Sequence, residues 1–200
     1  MFSPRFSKDN PLCQQEGFSV VISGSVGAGK TTELFRQLER AEIAGGKTAI
    51  FKPHKDDRDE GVKTHGGHER SAISIKDPEE IFEYLGSDVD VVGIEEAQFF
   101  NDKICGVVRV LVGRGLQVII VGLNLDFMGR PFGPVPILMA QAEHVVKLYA
   151  VCTKCGRDGT RTKRKTSQKE QVVIGGLDMY EPLCTSCHER WLSGDEAYEL

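Results

Sequence analysis

The sequence predicts an α/β fold: a mostly parallel sheet with helices on both faces, followed by a small cysteine-rich module. Three observations lead there. Apolar strand-like runs recur at residues 18–22, 48–51, 72–75, 89–94, 118–121 and 145–151, with helix-like stretches between several of them. A glycine-rich loop, Gly24-Ser-Val-Gly-Ala-Gly29-Lys30-Thr31, joins the first run to the first helical stretch. Four of the six cysteines form two C-x-x-C pairs beyond residue 150, where helical periodicity disappears. Strands that alternate with helices pair in parallel and are buried on both faces. Such sheets place ligands at the carboxyl ends of their strands.

The first strand, the glycine loop and the helix at 31–44 give the pattern G-x-x-x-x-G-K-[ST] the flanks it needs to bind phosphate. Its glycines let backbone N–H groups close around phosphate oxygens, and the helix N-terminus favours an anion. Gly24, Ser25, Val26, Gly27, Ala28, Gly29, Lys30, Thr31 and Thr32 are therefore candidate nucleotide-binding residues of a P-loop NTPase-like domain. Lys30 is expected to reach the β- and γ-phosphates of ATP, and the Thr31 hydroxyl to ligate Mg²⁺. A bare glycine turn is the bland alternative. Gly45-Gly46 stops the first helix. Asp77-Pro78-Glu79-Glu80 opens a second, with an N-cap, a proline at N1 and acids in its first turn.

The run at 89–94 ends in Glu95-Glu96-Ala97-Gln98-Phe99-Phe100. An acid at the end of a strand neighbouring the P-loop helps hold the Mg²⁺ hydration shell, a role that suits Glu95. Successive strand residues point to opposite sides, so Glu96 is free to face an acceptor and take a proton from a hydroxyl or a water. Helical stretches follow at 101–112 and 134–142.

A boundary is expected near residues 149–152. The expected division is a flexible lead-in at 1–16, a nucleotide-binding domain at 17–150, a zinc-binding module at 151–192 and a polar tail at 193–200. Cys152, Cys155, Cys184 and Cys187 have the spacing of a structural zinc site, with 28 residues between the pairs. Four thiolates close a tetrahedral Zn²⁺ and leave no open position for chemistry. A redox dithiol and plain buried cysteines are the rival readings. His188 adjoins Cys187 and is a rival ligand, but it is expected to face solvent. The spacer carries Thr162-Lys163-Arg164 and a short strand-like run at 172–176, then Tyr180. A loop of this length is either a functional lid or a plain extension.

Bulk properties narrow the partners. The formal net charge is −4, which speaks against nucleic acid, and the hydrophobic (40%) and charged (27%) fractions are those of a globular chain. No apolar run approaches the roughly 20 residues of a membrane span. The N-terminus lacks the apolar stretch of a signal peptide. A cytoplasmic location is the expectation.

Taken together, these segments resemble the type II thymidine kinases, cytosolic enzymes with a zinc-bound lasso loop. The resemblance runs over most of residues 18–191. It rests on the P-loop with Thr31-Thr32-Glu33-Leu34, on Lys52-Pro53-x-x-Asp56-x-Arg58, and on Glu96-Ala97-Gln98-Phe99-Phe100. It continues with Gly122-Leu123-Asn124-x-Asp126-Phe127-x-Gly129-x-Pro131-Phe132-Gly133 and with Thr162-Lys163-Arg164, Ile174-Gly175-Gly176 and Tyr180 around the cysteines. The resemblance implies transfer of the ATP γ-phosphoryl group to the 5′-hydroxyl of thymidine. Glu96 would be the base and Arg58, with Lys30, a cation on the transferring group. Glu95 and Gln98 would lie on the nucleotide side. Val26, Phe99, Leu123, Phe127 and Phe132 would wall the nucleoside pocket, and Thr162, Val173, Gly175 and Tyr180 would close over the base. It further implies a homotetramer and feedback inhibition by dTTP.

Some positions depart from the family pattern. The P-loop core Ser-Val-Gly-Ala replaces the common Met-Phe-Ser, so Val26 substitutes a bulkier side chain. Glu95 stands where Asp is usual, and Asn124 where Asp is frequent. The alternative class is a P-loop ATPase whose zinc ribbon binds a protein or nucleic-acid partner. A non-catalytic nucleotide-binding regulator is a third reading.

Overall fold

The computed structural model describes residues 16–54, 61–64, 66–166 and 178–194. In chain order its elements are β1 (Phe18–Gly24), α1 (Lys30–Ile43), β2 (Thr48–Pro53), β3 (Gly61–Lys63), β4 (Glu69–Ser71), β5 (Ile73–Ile75), α2 (Ile81–Tyr84), β6 (Val91–Ile94), α3 (Lys103–Gly113), β7 (Gln117–Gly122), α4 (Val135–Gln141), β8 (His144–Leu148), β9 (Ala150–Val151), β10 (Asp158–Gly159), β11 (Arg161–Arg164), β12 (Tyr180–Leu183) and α5 (Thr185–Ser193). Six strands form one sheet in the order β5-β2-β6-β7-β1-β8. Every neighbouring pair in it is parallel. The fold is α/β, as the alternation of runs predicts.

The strands are apolar on both sides because both faces are covered. On β1, Val20 and Ile22 pack with Leu34, Phe35, Leu38 and Ala41 of α1, while Val21 packs on the opposite face. On β7, Ile119 and Val121 join the α1 side. Val118 and Ile120 meet Ile104, Val107 and Leu111 of α3 and Leu138 of α4. Alternation with a period of two thus sorts one continuous apolar run between two cores. Each buried Leu, Ile or Val contributes about 1.5–3 kcal/mol.

The local signals set the helix ends. Past α1, the N–H of Gly46 donates to Ala41 O (2.9 Å) and that of Gly45 to Glu42 O (2.9 Å), which is the glycine stop expected there. Asp77 caps the next segment in a reciprocal box with Glu80, and Pro78 occupies its first position. That segment is shorter than its start signal suggests: a 3₁₀ turn at Pro78–Glu80 and then the single turn of α2.

Two sequence expectations change here. The run at 145–151 is not one strand. It breaks at Tyr149, so that β8 ends the large sheet while β9 pairs antiparallel with β10. Helical structure also returns after residue 150, because α5 follows directly on Cys184. Cys184 Sγ accepts the N–H of Cys187 (3.4 Å) in the manner of a side-chain N-cap. Helix propensity alone gives little notice of a helix whose start is capped by a cysteine sulfur. The expected lead-in falls mostly on residues 1–15 and the tail mostly on 195–200, outside the described residues. The strand-like run at 172–176 also lies outside them.

Candidate active site

Because all six strands of the large sheet are parallel, their carboxyl ends share one edge. There β1 delivers the glycine loop, β6 delivers Glu95 and Glu96, and β7 delivers the loop that begins at Leu123. Glu95 is expected on a strand neighbouring β1, yet β7 lies between β6 and β1. The gap is bridged by α1, which crosses above β7 and β6. Its first turn carries Thr31 to Glu95, and the Thr31 hydroxyl donates to Glu95 Oε1.

The phosphate loop is bent by Gly27 (φ 71°) and Gly29 (φ 80°), the latter directly before the helix. Gly24 leaves β1 so close to β8 that a Cβ there would sit 2.3 Å from Leu148 O. Lys30 reaches back over the loop and donates to Ser25 O (2.8 Å). Burial lowers its pKa, while the charges of Glu96 and Glu95 work in the other direction. Lys30, at the start of α1, and the two carboxylates, just past β6, thus lie within one another's electrostatic influence. The first N–H groups of a helix have no intrahelical acceptor, so those of Lys30, Thr31 and Thr32 at the start of α1 are available to an anion.

Glu95 is buried, and its Oε2 has no hydrogen-bond partner among the described residues. Burial first, then the negative charge of Glu96, raises its pKa to about 7 despite the Thr31 hydroxyl and Lys30. A buried carboxylate oxygen with no partner, beside a threonine hydroxyl, fits a divalent cation held partly through water. These residues fit Mg²⁺.

Glu96 does not point away by strand alternation. It lies past β6, exposed, with a left-handed backbone (φ 52°, ψ 40°) that starts a 3₁₀ turn at Ala97–Phe99. Among the described residues it is the one non-glycine with positive φ. Such a conformation costs on the order of 1–3 kcal/mol and concentrates at functional sites. Gln98 holds the turn in place. Its Nε2 donates to Glu96 Oε2, and its Oε1 accepts the N–H of Leu123 (3.0 Å). Both ends of its amide thus engage the protein.

The 3₁₀ turn that follows Glu96 ends at an aromatic residue, Phe99. Phe99 and Phe132 meet edge to face, with centroids 5.6 Å apart and planes at 83°. Gly133 (φ 52°) lets the chain pass over the turn, where a Cβ would sit 2.3 Å from Gln98 O. Asp126 ties its own loop by accepting the N–H groups of Met128 and Arg130 at 2.9 Å each. Asn124 Oδ1 accepts from Ser23 Oγ (2.9 Å), so asparagine serves where an acid is frequent. The buried guanidinium of Arg164 stacks 3.9 Å from the Phe127 ring centroid and donates to Tyr180 Oη (3.1 Å).

The sulfurs of Cys152, Cys155, Cys184 and Cys187 all lie within 4.8 Å of one another. Tetrahedral zinc with Zn–S bonds near 2.3 Å needs sulfurs roughly 3.8 Å apart, so the cluster fits the ion. Arg157 donates through Nε to Cys155 Sγ (3.4 Å) and through Nη2 to Cys184 Sγ (3.8 Å). That side chain holds the Cys155 thiol down to about 6, which favours the ligating thiolate.

His188 is a correction. It is buried rather than solvent-facing, and it shares a hydrogen bond with Phe127 O (2.8 Å). It thereby joins α5 to the aromatic loop. Position beside a cysteine gave no hint of this, because the contact spans 61 residues. Arg164 escaped assignment for the same reason. Arg58, Val173 and Gly175 lie outside the described residues.

The family model for thymidine kinase matches residues 17–188. The chain belongs to the thymidine kinase family. Membership makes it a kinase, a phosphotransferase, and implies ATP and thymidine as substrates. The match runs from the residue before β1 to His188, so it takes in the phosphate loop, both carboxylates and all four cysteines. No helix among the described residues is long and apolar enough to cross a membrane.

Proposed function

We propose that the chain transfers the γ-phosphoryl group of ATP to the 5′-hydroxyl of thymidine, giving dTMP and ADP, as a salvage step that supplies DNA precursors. One arrangement carries the reading. Lys30 and the adjacent carboxylates Glu95 and Glu96 interact at one strand edge, and the aromatic pair Phe99–Phe132 begins at the same 3₁₀ turn.

Each residue has a distinct task. The loop from Gly24 to Thr32 wraps the phosphates, and Lys30 neutralises charge on the β- and γ-oxygens. Thr31 and Glu95 would hold Mg²⁺, which would supply positive charge to offset that of the phosphates. Glu96 accepts the proton of the 5′-hydroxyl. The oxygen bonds to the γ-phosphorus, the bond to the β,γ-bridging oxygen breaks, and that oxygen leaves with ADP. Gln98 takes part through Glu96, by holding its carboxylate. Val26, Phe99, Leu123, Phe127 and Phe132 wall the nucleoside pocket, with Thr162, Val173, Gly175 and Tyr180 closing over the base to exclude water. Arg58 supplies a further cation. The reading includes feedback by dTTP and a homotetramer.

A nucleoside panel with coupled ADP detection tests the proposal. ADP production should depend on thymidine; equal ADP production without any nucleoside would favour a plain ATPase. Glu96→Gln should lower kcat by about 10²–10⁴ while thymidine binding changes little. Unaltered turnover would remove Glu96 as the base.

A further inference from the structure

Ser25 ties the phosphate loop to the four-cysteine module from inside the protein. Its hydroxyl donates to Gly159 O at 2.6 Å, in a bond buried from solvent. The next residue repeats the link, since the N–H of Val26 donates to Thr162 Oγ1 (3.1 Å). Ser25 and Thr162 are both buried, at 3% and 4% exposure. Both acceptors are held by the cysteines. Gly159 ends β10, whose partner β9 runs into Cys152, and Cys155 lies just before β10. Thr162 pairs with Pro182 of β12, which leads directly into Cys184.

Ser25 also faces the chemistry. Its carbonyl accepts from Lys30 Nζ at 2.8 Å and from Ala28 N–H at 3.3 Å. One residue thus touches the module through its side chain and the phosphate-binding lysine through its backbone.

We infer that the cysteine module positions the phosphate loop through Ser25 and Thr162, so that metal at the cysteines and phosphate at the loop stabilise one another. The inference rests on the proposal that this loop binds a nucleotide's phosphates. Linkage is reciprocal: if an ordered module favours the nucleotide-binding loop, a bound nucleotide must favour the ordered, metal-holding module. The loop's hydroxyl is what transmits the effect, and alanine at Ser25 removes it without altering a cysteine.

The test measures zinc release from the intact protein to a chelating dye, with and without saturating ADP and excess Mg²⁺, and with no thymidine present. Nucleotide should slow release about fivefold or more in the parent, the lower range of typical coupling between sites. Protection should shrink to less than about twofold in Ser25→Ala and in Thr162→Val, and return in Thr162→Ser. Equal protection in parent and variants, or none in the parent, overturns the inference. Thermal midpoint and zinc content confirm that each variant is folded; if Ser25→Ala does not fold, the contrast between Thr162→Val and Thr162→Ser decides. Thymidine-dependent ADP production is measured alongside. No protection in a parent that still turns over thymidine removes only this inference, whereas protection in a parent without thymidine turnover removes only the kinase proposal.

Discussion

Replacing Gln98 with leucine keeps most of the side chain's bulk and removes both ends of its amide. Two bonds disappear, and they differ in consequence. The N–H of Leu123 loses its acceptor at 3.0 Å next to a side chain only 3% exposed, so water reaches it poorly. A donor left unpaired in such a place costs about 1–3 kcal/mol. Glu96, in contrast, is exposed, and water replaces the lost donor there with little change in stability. For a chain of this size 1 kcal/mol moves Tm by about 2–4 °C, so Tm should fall by about 2–12 °C. The lost Glu96 bond shows in rate instead. A carboxylate free to swing from its reacting position slows a well-placed transfer by up to about 10²-fold. Expected, then, is a kcat 10–100-fold lower, roughly, with zinc content unchanged. Differential scanning fluorimetry and the coupled ADP assay measure the two effects on one preparation. A Tm within about 1 °C of the parent together with unchanged kcat would show that Gln98 braces neither group.

Three further outcomes follow from the same geometry. Cys155→Ser should empty the metal site, seen as loss of bound zinc, and raise KM for thymidine by loosening β11 and β12; retained zinc with unchanged KM would disconnect the cysteines from the pocket. His188→Ala should leave zinc bound but free Phe127 O, lowering stability by about 1–3 kcal/mol and raising KM for thymidine more than it lowers kcat. Unchanged KM would confine His188 to a packing role. Glu143 gives a pH prediction. Burial pushes its pKa up, but the N–H and hydroxyl of Ser19, donating at 2.6 and 2.8 Å, pull it below the ordinary value. A depressed carboxylate contributes stability above its unfolded pKa and loses it as pH falls through the folded one. Tm should therefore drop on acidification below about pH 4.5 more steeply in the parent than in Glu143→Gln; parallel Tm–pH curves would contradict this.

Much of this protein was legible in one dimension because the deciding interactions are local. Strand, glycine loop and helix are contiguous, so residues 18–43 announce a phosphate site through spacing alone. The same holds for the cap at Asp77 and for two cysteine pairs whose spacing suits a shared ion. Distance along the chain hid the rest. Spacing cannot say that β7 would separate β6 from β1 and that α1 would still carry Thr31 to Glu95. Nor can it show that Glu96 reaches its place by a left-handed residue rather than by strand alternation. The bonds from Ser25 to Gly159, from Gln98 to Leu123 and from His188 to Phe127 join residues 134, 25 and 61 positions apart. No periodicity encodes such pairs, because they exist only after the parallel strands have gathered their carboxyl ends on one edge. The chemistry was thus written in the residues, while the sheet decided which of them would meet.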